Sequence, residues 1–286
     1  MAVTSQIPRG PVTATLNFYK PPSDNSTPFT HVDTPPAGLP QKNYSETPQP
    51  VTIHDIRGSE NLYTLDQDAF QVVLDVAPSA EPSSFTDDAS IKSTYYPEVE
   101  QLLLAHIPGA NRVIFFDHTI RRSGPTAPRA PVQRVHIDQT AASAAMRVRR
   151  HAVDEAEAEK LLAGRYRIVN VWRPLNQTPV ESFPLAFASS ATLADEDVVP
   201  VEHRYNNGYT GYTAGIQYSP EQQWHYLSGM TGNERLFLEC FDSEALKEGS
   251  GVKGGRVAHT AFDDPRTRPG AEGRESIEVR ALVFGP

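Results

Sequence analysis

The sequence contains a single cysteine, Cys240, which excludes an intrachain disulfide and suits a reducing compartment. No apolar run approaches the roughly 20 residues that are needed to cross a bilayer. The first residues have neither the apolar stretch of a secretory signal nor the arginine-rich character of a transit peptide. From these absences we expect a cytoplasmic protein that does not span a membrane.

Basic charge is also scarce. The 26 Lys and Arg residues are outnumbered by 35 Asp and Glu residues, which gives a formal net charge of −9, and no long basic run occurs. Binding to nucleic acid needs a basic surface, because contacts to phosphate dominate the affinity. The composition therefore argues against a nucleic-acid partner. A chain of 286 residues with 38% hydrophobic content can nevertheless bury a substantial core.

Prolines crowd residues 1–50, where they interrupt both helix and strand periodicity. We expect this segment to be an arm that wraps a single folded domain formed by residues 51–286. Within that domain, helical spacing occurs in YYPEVEQLLLAHIPGA and over residues 150–163. Strand patterns occur in NRVIFFDHTIRR, PVQRVHIDQT, RYRIVNVWRPL, GYTAGIQYS, QWHYLSG, ERLFLECFD, RVAHTAFD and ESIEVRALVF. Many short antiparallel strands indicate a β-sandwich or a β-barrel.

Two histidines and one carboxylate form the first candidate site. Strand alternation in PVQRVHIDQT places His136 and Asp138 on one face, and His259 can join them from a neighbouring strand. Two imidazoles and one carboxylate on one face suit a non-haem Fe(II) centre, whose other positions stay open. About one His-x-acid pair is expected by chance, so the pair is a weak signal that an ordinary polar strand face would also produce. A second pair, His31 and Asp33, lies among the prolines, where no rigid strand is expected.

The last strand offers a receptor for an anion. Alternation puts Arg274 and Ser276 on one face, where a guanidinium can bind a carboxylate through two hydrogen bonds and a hydroxyl can bind a free oxygen. This pair suits the distal carboxylate of 2-oxoglutarate, although an isolated Arg-x-Ser is more often a surface feature. Arg266, Arg268 and Arg280 are rivals, but none of them has a hydroxyl residue two positions further on.

The order His136-x-Asp138, His259, Arg274-x-Ser276 resembles that of the 2-oxoglutarate and Fe(II)-dependent dioxygenases. More narrowly, FDHTIRRSG, RVHIDQT, VNVWRPL, WHYLSGMTGNERLFLECFDS, HTAFDDP and RESIEVRALVF are similar to a mostly fungal hydroxylase/desaturase family. That family includes a gibberellin desaturase, an aspergillic-acid pathway oxygenase and a component of cephamycin methoxylation. The similarity covers roughly residues 110–286.

The resemblance implies a mainly β fold with helices, in which a double-stranded β-helix (jelly-roll) core carries the N-terminal arm and a helical insertion. It also implies a dioxygenase that uses Fe(II), 2-oxoglutarate and O2 to hydroxylate, desaturate or cyclise a small natural-product intermediate, with succinate and CO2 as coproducts. We expect an amino-acid-derived substrate on the strength of the resemblance. The presence of Asp138 argues against halogenation, because the halogenases of the wider superfamily lack this carboxylate.

Five further residues are candidates for substrate contacts. Arg121, Arg122 and Arg173 can meet an anionic substrate, and Trp172 and Trp224 can form a wall of the pocket. For each of them, packing or a surface ion pair is the more common role.

Two other functions stay open at this point. A zinc-dependent hydrolase can use the same two histidines and carboxylate, and a β-barrel can bind a ligand without catalysis. We expect His118 and His225 to be structural, because a fourth protein ligand would close the position that O2 needs.

Overall fold

Two β-sheets form the body of the protein in the computed structural model, which describes residues 7–123 and 129–285. The strands are β1 (Val12–Lys20), β2 (Phe29–His31), β3 (Ser45–Asp55), β4 (Phe70–Val73), β5 (Arg112–Arg122), β6 (His136–Ile137), β7 (Arg165–Pro174), β8 (Leu185–Ala188), β9 (Val198–Arg204), β10 (Thr210–Ile216), β11 (Trp224–Tyr226), β12 (Arg235–Asp242), β13 (His259–Ala261) and β14 (Glu275–Gly285). The α-helices are α1 (Leu65–Asp68), α2 (Asp88–Ser90), α3 (Tyr96–His106), α4 (Ala141–His151) and α5 (Glu155–Ala163). A short π-helix (Ile91–Tyr95) joins α2 to α3, and short 3-10 helices lie at Glu60–Leu62, Ser190–Thr192, Asp195–Asp197 and Ser243–Leu246.

The strand order brings together segments that are far apart in sequence. One sheet has the order β1-β3-β11-β8-β13-β6-β10-β9-β2, and the other has the order β4-β12-β7-β14-β5. In the smaller sheet, β14 pairs antiparallel along its length with both β5 and β7. This is the layout of a jelly roll, so the prediction of a mainly β fold with a double-stranded β-helix core is confirmed.

Apolar side chains of the two sheets meet in a shared core. Leu16 and Phe18 of β1 pack in one cluster with Ile168 of β7 and with Leu282 and Phe284 of β14. Full burial of one such side chain stabilises the fold by about 1.5–3 kcal/mol. The two sheets are therefore held face to face by apolar contacts at this end of the interior.

Helix α3 covers the outer face of the smaller sheet, and β14 shows how the two faces differ. Val279 and Val283 pack in the cluster that contains α3, whereas Leu282 and Phe284 belong to the core between the sheets. Side chains alternate along a strand, so the even-numbered residues of β14 face the interior. The polar even-numbered residues at the start of this strand are consequently directed between the two sheets.

The prediction that prolines interrupt strand periodicity in residues 1–50 is wrong for three segments. β1 runs between Pro11 and Pro21 with an alternating buried pattern, β2 is a short strand, and β3 contains both Pro48 and Pro50. β3 pairs with β11 only at Ile53–Asp55, so one side of β3 has no neighbouring strand at its prolines within the described residues. A missing N–H group removes no ladder hydrogen bond on such an open side.

Two further expectations change in detail. The segment PVQRVHIDQT predicted a continuous strand, but β6 contains only His136 and Ile137, so Asp138 lies just beyond its end. The predicted helix over residues 150–163 is α5, and a second helix, α4, precedes it. Thr140 and Ser143 begin α4 with a reciprocal capping box, which ends the extended segment soon after Asp138.

Candidate metal centre

Two short neighbouring strands bring the two predicted histidines together. His136 on β6 is paired directly with His259 on β13, and their ring centroids are 4.5 Å apart. Oδ1 of Asp138 lies 3.3 Å from Nε2 of His136. The ligand atoms of the three side chains all lie within 4.8 Å of one another, which no other group of three or more His, Cys, Asp or Glu residues achieves in the described part of the chain.

Hydrogen bonds to the backbone determine which ring nitrogen of each histidine faces the centre. Nδ1 of His136 lies 2.7 Å from the carbonyl oxygen of Arg134, and Nδ1 of His259 lies 3.3 Å from that of Val257. A carbonyl oxygen only accepts, so Nδ1 carries a proton in both rings, and Nε2 is the nitrogen that is directed toward the centre. Nε2 of His136 faces a carboxylate oxygen in this arrangement. An imidazole nitrogen and a carboxylate oxygen in this position are suited to share a bound cation.

The charge states suit a divalent metal as well. Burial and the nearby ring of His136 lower the pKa of His259 to about 4, so its imidazole is neutral at neutral pH. Burial raises the pKa of Asp138, but the charge of Arg280 and the contact with His136 outweigh burial and hold this pKa well below its usual range. The three side chains can therefore supply two imidazole nitrogens and one carboxylate, which is the set that non-haem Fe(II) oxygenases use.

A buried guanidinium lines the same pocket. Arg274 is 2% exposed, and its Nη1 donates to the carbonyl oxygen of Phe183 at 2.8 Å. Its Nε has no hydrogen-bond partner, and within residues 7–123 and 129–285 no carboxylate forms an ion pair with it. Burial and the nearby charge of Arg121 lower the pKa of Arg274 to about 9. A cation left in this state is suited to bind an anion from solution.

Ser276 lies two residues further along the chain, at the start of β14, and is also buried. It lines the pocket together with Arg274, His136, Asp138 and His259. The pocket thus holds a potential metal site, a guanidinium and a hydroxyl. These are the groups that a metal-chelating acid with a second carboxylate requires.

The five candidates for substrate contacts separate into two groups. Arg121 and Trp172 line the pocket, and the guanidinium of Arg274 lies 5.7 Å from the ring centroid of Trp172. The others lie elsewhere: Arg122 pairs with Glu275 at 2.9 Å, Arg173 lies over the rings of Phe85 and Tyr95, and Trp224 packs against Phe18 in the core.

The arginines considered as rivals of Arg274 have carboxylate partners. Arg266 binds Asp264, Arg268 binds Glu181, and Arg280 binds Asp138, Glu278 and Asp117. The two histidines expected to be structural lie outside the pocket lining: His118 is hydrogen-bonded to Tyr96, and His225 packs against the rings of Tyr63 and Phe70.

Three polar residues of the pocket region were not singled out from the sequence. Thr119 and Glu278 line the pocket, and Asn170 donates to Asp138 at 2.8 Å. A signal for two of them was present. Asn170 is the single polar residue in the apolar run IVNVW, and Glu278 shares the face of Arg274 and Ser276 by alternation.

Known proteins are similar to this chain in sequence and in fold. A family model described as YDMC, an oxidoreductase/YMDC permease-like domain, matches residues 16–284. The hydroxylase/desaturase poxK of Penicillium oxalicum is 39% identical over 301 residues, which covers 97% of this chain and 92% of that protein. The Fe(II)/2-oxoglutarate-dependent dioxygenase nvfI of Aspergillus novofumigatus is 32% identical over 273 residues, covering 94% and 95%.

A solved structure is also similar to this chain, in both fold and sequence. The iron and alpha-ketoglutarate-dependent endoperoxidase NvfI superposes with a TM-score of 0.85 at 30% identity, over 97% of this chain and 99% of that one. These similarities do not favour a zinc hydrolase or a non-catalytic barrel. Despite the permease in the description of the family model, the described residues include no helix with the length and apolar character of a membrane span. The chain belongs to the hydroxylase/desaturase family of Fe(II)/2-oxoglutarate-dependent dioxygenases.

Proposed function

We propose that His136, Asp138 and His259 bind the Fe(II) of this dioxygenase and that Arg274 and Ser276 bind the distal carboxylate of 2-oxoglutarate. One observation carries the proposal: a single pocket contains three convergent metal donors and a buried guanidinium that has no carboxylate partner in the described residues. Iron and 2-oxoglutarate, when bound, supply the O2-activating chemistry. The protein determines where iron and 2-oxoglutarate are bound and how they are oriented.

Each side chain has a distinct task in this scheme. The two imidazoles and the ionised carboxylate would hold the metal, whose chemistry when bound is the activation of O2 with 2-oxoglutarate. Arg274 and Ser276 orient 2-oxoglutarate through its far end before the reaction begins. Trp172 shields the guanidinium from water, which strengthens its attraction for a carboxylate.

The substrate in this proposal is a small natural-product intermediate that is hydroxylated, desaturated or cyclised. The support comes from poxK, a hydroxylase/desaturase, and from NvfI, an endoperoxidase, which are similar to nearly the whole chain. We assign Arg121 and Trp172 to substrate contacts, because they line the pocket beside the metal donors. Amino-acid-derived compounds are the first to be tested.

Anaerobic addition of Fe(II) and 2-oxoglutarate tests the cofactor assignment. We expect a weak visible charge-transfer band, followed by bleaching and succinate formation on exposure to O2. His136→Ala, Asp138→Ala and His259→Ala should abolish both the band and succinate. Asp33→Ala is the matched control, because Asp33 belongs to the other His-x-Asp pair and is exposed. Normal succinate formation in Asp138→Ala would contradict the ligand assignment.

A mass-spectrometric screen tests the substrate assignment. Candidate amino acids and natural-product intermediates are incubated with Fe(II), 2-oxoglutarate and 18O2. Hydroxylation adds one labelled oxygen atom, whereas desaturation or ring closure removes two hydrogen atoms. A product that forms without matching succinate would contradict an oxidation coupled to 2-oxoglutarate.

A further inference from the structure

The two oxygens of the Asp138 carboxylate have different surroundings. Oδ2 accepts hydrogen bonds from Nδ2 of Asn170 at 2.8 Å and from Nε of Arg280 at 2.8 Å. Oδ1 receives neither of these donors and faces Nε2 of His136 at 3.3 Å. One oxygen is therefore occupied by protein donors, and the other is directed toward the histidines.

The two donors, which we call the Asp138 clamp, are held in place by other polar groups. Nδ2 of Asn170 also donates to Glu278 at 3.0 Å, so both amide hydrogens point at carboxylates. An amide turned the other way would place its oxygen against two anions, so this orientation of Asn170 is strongly favoured. Arg280 binds Glu278 at 2.6 Å, Asp117 at 3.0 Å and the hydroxyl of Thr119 at 2.9 Å.

The strand register explains why these residues meet. Asn170 on β7 and Asp117 on β5 are the direct partners of Arg280 on the central strand β14. All three strands belong to the smaller sheet, whereas Asp138 follows β6 of the larger sheet. The Asp138 clamp thus reaches across the interior to a carboxylate that lies outside any strand. Without it, this carboxylate would be free to rotate about its side-chain bonds.

We propose that Asn170 and Arg280 are positioning residues that make Asp138 bind the metal through Oδ1 only. Occupation of Oδ2 by two donors prevents the carboxylate from taking a second coordination position, which stays available for 2-oxoglutarate or O2. This proposal rests on the proposed ligand set. It concerns how one ligand is oriented, and neither member of the Asp138 clamp touches the reacting groups.

Binding of Co(II), a redox-stable substitute for Fe(II), tests the proposal without turnover. The full chain, freed of metal, is titrated by calorimetry, and the visible absorption of Co(II) reports its coordination. We expect Asn170→Leu and Arg280→Lys to weaken binding by on the order of 10- to 100-fold and to change the spectrum. Leucine has no donor, and an ammonium cannot span the three carboxylates that the guanidinium reaches.

Milder and control variants separate positioning from general destabilisation. Asp117→Asn removes one support of Arg280 at a side chain that is 46% exposed, so we expect a folded protein with a smaller loss of affinity and a spectral change of the same kind. Asn43→Leu also removes an asparagine with several hydrogen bonds, and Arg112→Lys changes a paired arginine of β5. Both controls should bind Co(II) as the wild type does.

The possible outcomes distinguish the two proposals. If Asn170→Leu and Arg280→Lys keep the wild-type affinity and spectrum while Asp138→Ala loses binding, the ligand set stands and the positioning role is overturned. If Asp138→Ala binds Co(II) as tightly as the wild type, the ligand set itself fails. Should neither clamp variant fold, Asp117→Asn decides, because an unchanged affinity and spectrum in that variant would overturn the positioning role.

Discussion

Two arginines that face the same side, Arg274 just before β14 and Arg280 within it, have opposite surroundings. Arg280 contacts three carboxylates, and although burial lowers its pKa, these charges raise it well above the usual value. Arg274, six residues earlier, has no ion pair in the described residues, and burial lowers its pKa to about 9. Strand alternation alone makes the two positions equivalent, so the difference comes from what the neighbouring strands place opposite each one.

The difference indicates separate roles for the two ends of the strand. A buried charge is tolerated when it is paired, and an unpaired one is costly. We therefore expect the charge of Arg280 to stabilise the folded protein through its ion pairs. We expect the charge of Arg274 to be available for binding a ligand. The pocket therefore contains the buried positive charge of Arg274 with no ion-pair partner among the described residues. A carboxylate of 2-oxoglutarate is suited to neutralise this charge.

Removing each charge in the metal-free protein should give the largest difference between the two arginines. Arg280→Met leaves Asp138 and Glu278 without their cation, and loss of one partner of a buried ion pair typically lowers the free energy of unfolding by about 3–5 kcal/mol. Arg274→Met leaves no buried anion behind, so we expect a change of about 1 kcal/mol or less. Urea denaturation measures both values. Equal losses in the two variants would remove the distinction between the arginines.

The cosubstrate should stabilise the protein through Arg274. With metal present under anaerobic conditions, 2-oxoglutarate at 100 times its Kd should raise the free energy of unfolding by about 2.7 kcal/mol. At the same concentration, this gain should largely disappear in Arg274→Met and persist in Arg112→Lys. Thermal denaturation with and without 2-oxoglutarate checks the result. An undiminished gain in Arg274→Met would mean that another group binds the distal carboxylate.

A smaller change at the same position tests the geometry of the anchor. Arg274→Lys keeps a positive charge but cannot form two parallel hydrogen bonds to a carboxylate. Loss of a charge-assisted hydrogen bond of about 1.5–3 kcal/mol corresponds to a roughly 10- to 100-fold higher KM for 2-oxoglutarate. Initial rates of succinate formation measure this KM. A wild-type KM in Arg274→Lys would show that charge without the fork is sufficient.

The hydroxyl of Ser276 should contribute least. Ser276→Ala removes one neutral hydrogen-bonding group worth about 0.5–1.5 kcal/mol, so the KM for 2-oxoglutarate should rise by about two- to tenfold. The same succinate assay applies, with Ser276→Thr as the variant that retains a hydroxyl. An effect of Ser276→Ala as large as that of Arg274→Lys would reverse the ranking of the two groups.

Much of the fold could be predicted because alternation and composition act locally. The long strands β5, β7, β12 and β14 and the helix α3 lie where their apolar patterns indicated. The N-terminal strands could not be predicted in this way, because β1 and β3 stabilise each other through pairing between residues that are well separated in sequence. Proline content bears on the local backbone and does not show which distant segment pairs with it.

The candidate site shows the same contrast between local pattern and long-range pairing. Residue types and alternation were enough to identify the available groups: two histidines, one carboxylate, and an arginine with a hydroxyl two positions further on. The packing of the strands placed Asn170 and Arg280 on one oxygen of Asp138 and gave Arg274 no carboxylate partner among the described residues. Side-chain alternation is a property of one strand, whereas charge pairing in a buried space depends on which strands lie next to and across from one another.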